Sequence, residues 1–156
     1  MIKTTLGLLV ISLFLILPGK SEAQNAGAEV KASGPIQTQE TEFPGVVAEL
    51  TECKRSEGVL TIKVTFRNTG NETSSVNIDT DHGKYDDIYV TADSKKYFVL
   101  KDTEGAPLAP RYIQDDLKKG GKILWWAKFP APPAEAKKIN VVFPKVVPFE
   151  DVPIKD

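Results

Sequence analysis

Five side chains able to hold a metal, Asp79, Asp81, His82, Asp86 and Asp87, fall within residues 79–87 of the stretch NIDTDHGKYDD. Carboxylate oxygens suit calcium, and a loop can bring them together. Asp79, Asp81, Asp86 and Asp87 are therefore the candidate calcium ligands. An EF-hand register does not fit. With Asn77 at its first position, Asp79 and Asp81 fall correctly, but His82 stands where glycine is needed and Ile88 where a bidentate glutamate is needed. Zinc would want several His or Cys ligands, and His82 is the only histidine. A copper-shuttle role fits no better, because the sole methionine is Met1. The competing role for this stretch is a solvated loop in which Asp and Gly make turns.

Catalytic chemistry has less support. A hydrolase would have to use His82, yet there is no G-x-S-x-G elbow for a serine nucleophile. Cys53 is the only cysteine, so no intrachain disulfide can form. Lys54 and Arg55 beside it would lower its pKa, whereas burial would make it an inert hydrophobe. No enzyme activity and no cofactor are expected. Asn71-Glu72-Thr73 matches a glycosylation sequon, which has meaning only in a eukaryotic secretory route; here it is read as a turn.

The elements that must position these residues have the pattern of strands. Leu60, Ile62, Val64 and Phe66 alternate strictly with polar residues, which means one buried and one wet face. The run from Val46 to Thr51 precedes them across a turn at Ser56-Glu57-Gly58, which predicts a hairpin. Asn68-Thr69-Gly70-Asn71 ends the second strand. A further hairpin joins 88–91 to 97–100 through Ala92-Asp93-Ser94-Lys95. Ile123–Phe129, Ile139–Phe143 and a last edge strand over Phe149–Ile154 complete the set. No long helical period occurs. About seven to nine short strands with regular turns predict an all-β, antiparallel sandwich or barrel.

Period 2 places Ile123, Trp125, Ala127 and Phe129 toward the core and Leu124, Trp126 and Lys128 outward. Trp126 and Lys128 are thus the candidate binding surface for a partner or glycan. The competing role for Trp126 is a cross-strand pair, with a tyrosine for example, covered by its neighbours. Pro130-Ala131-Pro132-Pro133 follows at once, and prolines do not extend a central strand. The segment is expected to cross between sheets, with Trp125 and Phe129 anchoring it and a single helical turn over Ala134-Glu135-Ala136.

The 156-residue chain opens with MIKTTLGLLVISLFLILPGKSEAQ. Lys3, an apolar run of 12 residues from Leu6 to Leu17, and small residues at Ser21 and Ala23 have the layout of a secretory signal peptide spanning residues 1–23. A membrane-spanning helix needs about 20 apolar residues. Loss of residues 1–23 removes Lys3, Lys20 and Glu22 and leaves 18 basic and 20 acidic side chains, a formal net charge of −2. That balance does not favour nucleic acid. The lysines gathered between 118 and 145 read as a solvated surface, without the aromatic-basic alternation of a nucleic-acid groove. Residues 24–42 are polar and rich in Gly, Ala and Gln, as expected of a flexible linker.

Four segments, VLTIKVTFRNTGNE, KKYFVLKDTEGAPLAP, WWAKFPAPPAE and PFEDVPI, occur in that order. Together they resemble bacterial exported immunoglobulin-like domains of unknown function, similar to the mycobacterial immunogenic extracellular protein type. The resemblance covers residues 43–156. It implies an immunoglobulin-like β-sandwich in the periplasm or outside the cell, and it implies no catalytic residues. The chain lacks the cysteine pair of antibody domains, so receptor functions of that class are not implied. The expected role is non-catalytic: binding of a protein or glycan in the cell envelope.

Overall fold

The computed structural model describes residues 34–78 and 85–156. These contain ten strands: β1 (Gln37–Glu40), β2 (Val46–Ser56), β3 (Val59–Asn68), β4 (Ser74–Ile78), β5 (Tyr89–Ala92), β6 (Lys95–Phe98), β7 (Ile113–Leu117), β8 (Lys122–Pro130), β9 (Lys138–Val142) and β10 (Phe149–Pro153). One sheet has the order β1-β2-β3-β8, a second β10-β9-β5-β6, and β4 pairs with β7 alone. Every pairing between these strands is antiparallel. The described residues are all-β, in antiparallel sheets compatible with a β-sandwich, and they contain no helix able to cross a membrane.

The two expected hairpins form, and their turns are shorter than the turn residues suggested. Glu57 and Gly58 join β2 to β3 with φ of 51° and 77°. Asp93 and Ser94 join β5 to β6 with φ of 48° and 64°. Two consecutive left-handed residues make a turn whose twist matches that of the strands it joins.

The alternation of β3 is realised in full: Leu60, Ile62, Val64 and Phe66 are completely buried. Opposite them on β8 lie Phe129, Ala127, Trp125 and Ile123, in register. The second sheet contributes Val90, Ile139, Val141, Phe149 and Val152 to the same core. Trp125 is its centre. Its ring meets Phe143 edge-on at 4.6 Å and lies stacked on Tyr85 at 6.5 Å. Edge-on and offset aromatic pairs add to the burial of their area.

A bulge in β2 decides where Cys53 points. The register against β3 shifts between Leu50 and Glu52, which leaves Thr51 unpaired and exposed. Before the bulge the even residues Val46, Ala48 and Leu50 face the core; after it, Cys53 does. One extra residue flips the parity of a strand.

Three expectations need correction. Residues 24–42 were expected to be linker throughout, yet Gln37–Glu40 pairs with β2 over Ala48, Glu49, Leu50 and Val47. This strand has no apolar period. It is held by backbone pairing and by the Gln37 and Gln39 side-chain amides, which donate to the carbonyls of Glu150 (2.7 Å) and Pro148 (2.9 Å). The described residues contain ten strands rather than seven to nine, because β1, β4 and β7 are short and carry weak patterns. Residues 134–136 form no helical turn; the Ala136 N–H donates to the Pro133 carbonyl at 3.0 Å, a single tight turn.

The expected crossing does occur after Pro130, since β8 lies in the first sheet and β9 in the second. Trp125 and Phe129 anchor it, both fully buried. Arg55 holds it from the other side. Its guanidinium donates to the carbonyls of Pro132 (3.4 Å), Pro133 (2.8 Å), Ala134 (3.4 Å) and Ala136 (3.2 Å). It also pairs with Asp156 at 2.7 Å.

The other end of β3 is closed by Asn68, one of two buried polar side chains in the core region. Its amide donates to the carbonyls of Glu72 and Leu117, each at 2.7 Å, and its oxygen accepts from the Gly70 N–H at 2.8 Å. All its hydrogen-bonding groups are used, so burial carries little penalty. Thr69 and Gly70 then donate to the carbonyl of Gly45, which has a φ of 71°.

Candidate functional site

The surface that carries Trp126 and Lys128 is the outer face of β3 and β8. Along β8 the residues alternate as the sequence predicts: Trp125, Ala127 and Phe129 are buried, while Lys122, Leu124, Trp126 and Lys128 are exposed. Leu124 is 59% exposed and Trp126 37%. Both lie on β8, the edge strand of the sheet, paired with Thr65 and Lys63 of β3. Thr61 stands opposite Lys128 and Arg67 opposite Lys122. The partner of Trp126 is therefore a lysine, and the tyrosine pairing considered for it is corrected. The register of β3 against β8 brings Lys63 there.

Ion pairs organise the β3 side of this face. Lys63 contacts Glu52 at 2.9 Å and Arg67 contacts Glu49 at 2.7 Å. Both acidic partners come from β2, so each pair spans neighbouring strands. Lys122 and Lys128 on β8 form no salt bridge among the described residues. Solvent-exposed pairs of this kind contribute little to stability, at most ~1 kcal/mol each. Their effect here is on the surface: they neutralise the β2 carboxylates, so among the described residues the β8 lysines have no acidic partner.

The backbone of β8 is fixed at Lys128. Its N–H donates to the Leu108 carbonyl (3.0 Å), and its carbonyl accepts from Leu100 (2.8 Å). Leu108 in turn donates to Leu100 at 2.7 Å. This ring of bonds clamps the 100–108 segment onto the end of the strand. The exposed row is thus carried on a rigid strand, which suits a binding surface better than a mobile loop.

The other sequence candidates separate. Asp79, Asp81 and His82 lie outside the described residues. Asp86 and Asp87 are exposed in a turn closed by the Ile88 N–H on the Tyr85 carbonyl at 3.2 Å. Among the described residues no group of three or more His, Cys, Asp or Glu side chains converges on one point.

Cys53 is fully buried. Burial pushes its thiol up to about 12, and the positive charge of Arg55 offsets this only in part. The thiolate, not the thiol, is the nucleophile, so this site is inert at neutral pH. The charge of Arg55 is outweighed by desolvation because the bulge turns the Cys53 side chain inward. Tyr85 is likewise shifted upward by burial, with Trp125 opposing, and its hydroxyl donates to the Pro110 carbonyl.

A second aromatic surface was not singled out from the sequence. Tyr89 and Phe98 face each other across β5 and β6, with ring centroids 6.0 Å apart. The Lys96 ammonium lies 4.0 Å from the Tyr89 ring centre, and Val142 of β9 is the next residue across. Phe98 is 47% exposed. The signal was the two-residue turn at Asp93-Ser94, which sets Tyr89 against Phe98.

In comparison with known proteins, the chain matches no family model, no curated protein and no solved structure, and its site is defined by geometry alone.

Proposed function

We propose that this chain is an exported, immunoglobulin-like β-sandwich domain that binds a protein or glycan of the cell envelope without catalysis. The observation that carries this reading is the row Lys122, Leu124, Trp126 and Lys128 on a rigid strand in the first sheet. Leu124 stays 59% exposed and Trp126 37%, although the same strand buries Trp125, Ala127 and Phe129 completely. Trp is enriched in binding surfaces because it combines a large apolar body with a polar N–H. Support for export comes from the leader-like sequence of residues 1–23, and support for the immunoglobulin-like identity from the four resembling segments and the antiparallel sheets.

Two measurements test it. Expression in a bacterial host followed by mass determination of the exported protein is expected to give a chain beginning at Gln24. Recovery of the full-length mass from the cytosol would overturn export. Retention of the purified protein on a washed cell-envelope fraction is expected, and Trp126→Ala is expected to weaken it. Equal retention of the variant would remove this face from the function.

A further inference from the structure

Taking the β3–β8 face as the binding surface proposed above, we infer that its ligand is an acidic polysaccharide laid along β8, with a sugar ring stacked on Trp126 and carboxylates held by Lys122 and Lys128. The inference rests on that functional reading and specifies its ligand.

Four features of the face select this chemistry. The first is spacing. Residues two apart on a strand lie about 7 Å apart on the same face. Lys122, Leu124, Trp126 and Lys128 therefore form one straight row, apolar in the middle and cationic at both ends. A linear ligand with repeated negative charge and flat apolar faces matches that order. The second is charge. Glu52 and Glu49, across the sheet on β2, are already paired to Lys63 and Arg67. Among the described residues Lys122 and Lys128 have no salt-bridge partner, so the row carries two cations although the whole chain has a formal charge of only −1.

The third is the polar rim. Thr61 and Thr65 of β3 stand opposite Lys128 and Leu124, and they supply hydroxyls on either side of Trp126. Hydroxyls that both donate and accept suit the hydroxyls of a sugar. The fourth is the clamp at one end of the row. β8 ends its sheet, and a peptide gains most from an open strand edge, where backbone groups pair. At Lys128 both backbone groups on that edge are taken by Leu108 and Leu100, so there the row offers side chains alone, for stacking and charge.

A second copy of the chain is disfavoured as occupant. A two-fold arrangement of antiparallel β8 rows sets Lys122 of one molecule against Lys128 of the other. Like charges placed opposite each other are destabilising.

The test uses the full exported chain with polygalacturonate as the acidic probe, dextran as the neutral one and poly-glutamate as the acidic peptide. Affinity electrophoresis measures each. Polygalacturonate is expected to retard the protein and dextran to leave it unshifted. Raising the salt to 1 M is expected to remove the retardation, since charges are then screened beyond about 3 Å. Trp126→Ala is expected to weaken binding about tenfold, from the loss of one stacked ring and its buried area. Trp126→Tyr is expected to retain part of it, and Lys122→Gln with Lys128→Gln to lower affinity and flatten the salt response. Circular dichroism confirms that each variant is folded.

Equal retardation by dextran would overturn the role of charge. Poly-glutamate binding as tightly, with no effect of Trp126→Ala, would overturn the sugar and leave an acidic peptide. If polygalacturonate fails while Trp126-dependent envelope retention holds, the glycan inference is overturned and the binding face stands. If both fail, the face itself is lost.

Discussion

Arg55→Met removes the guanidinium that holds the 132–136 crossover while keeping an apolar stem. The Arg55 side chain is only 11% exposed, and it donates to four carbonyls as well as pairing with Asp156. The losses differ in kind. The carbonyls of Pro133 and Ala134 are exposed and regain water. Those of Pro132 and Ala136 are partly buried, and a buried acceptor left without a donor costs about 1–3 kcal/mol. The Asp156 side chain is 64% exposed, so its ion pair adds at most ~1 kcal/mol. The total is about 3 kcal/mol. Urea unfolding measures it directly: with a slope of about 1–3 kcal/mol per molar, the midpoint is expected to fall by roughly 1–3 M with the slope unchanged. Asp156→Asn is expected to cost less than about 1 kcal/mol. If Arg55→Met costs no more than Asp156→Asn, the guanidinium does not hold the crossover, and the prolines and the burial of Phe129 suffice.

Three further perturbations separate the structural elements. Trp125→Ala removes the fully buried centre of the core and is expected to cost about 3–5 kcal/mol in chemical denaturation, whereas its neighbour Trp126→Ala is expected to cost under ~1 kcal/mol; equal costs would refute the assignment of faces. Gly45→Ala forces a Cβ to 3.0 Å from the Gly70 Cα at a φ of 71°, and thermal unfolding is expected to show a loss of about 1–2 kcal/mol or more; a neutral result would refute the close approach. For Cys53 the sign follows from linkage. The thiol ionises near 9 in the unfolded chain and near 12 in the folded one, so in that window the unfolded chain has released a proton that the folded chain keeps. Stability is therefore expected to fall as pH rises from 9 to 12, and Cys53→Ala to remove part of that slope, Tyr85 supplying the rest. Rapid reaction of the native thiol with a disulfide reagent at pH 8 would contradict its burial.

Much of this domain was legible in the sequence, for reasons visible in particular residues. Strict alternation at Leu60, Ile62, Val64 and Phe66 can serve only a strand with one dry face. Trp125 and Trp126, adjacent in sequence, had to part to opposite faces for the same reason, and they do. Glu57-Gly58 and Asp93-Ser94 announced hairpins because few residues adopt positive φ. Strand β1 was hidden, since its stability comes from backbone pairing and from glutamine bonds to residues 109 and 113 positions away, which leave no local pattern.

The sequence by itself determined the all-β class, the inward set of β3 and β8, the place of the crossover and the outward position of Trp126. These depend on side-chain period and on turn residues, which are local. Only the tertiary structure decided the rest. A single bulge at Thr51 decided between the exposed thiol and the buried hydrophobe for Cys53, because one inserted residue reverses every later side chain on its strand. Arg55 found its role in carbonyls 77 to 81 positions along the chain. Sheet register set Lys63 beside Trp126 and gave the acidic residues of β2 to the cations of β3. The positive row on β8 is what remains after that pairing, and pairing across strands is a property of the folded sheet alone.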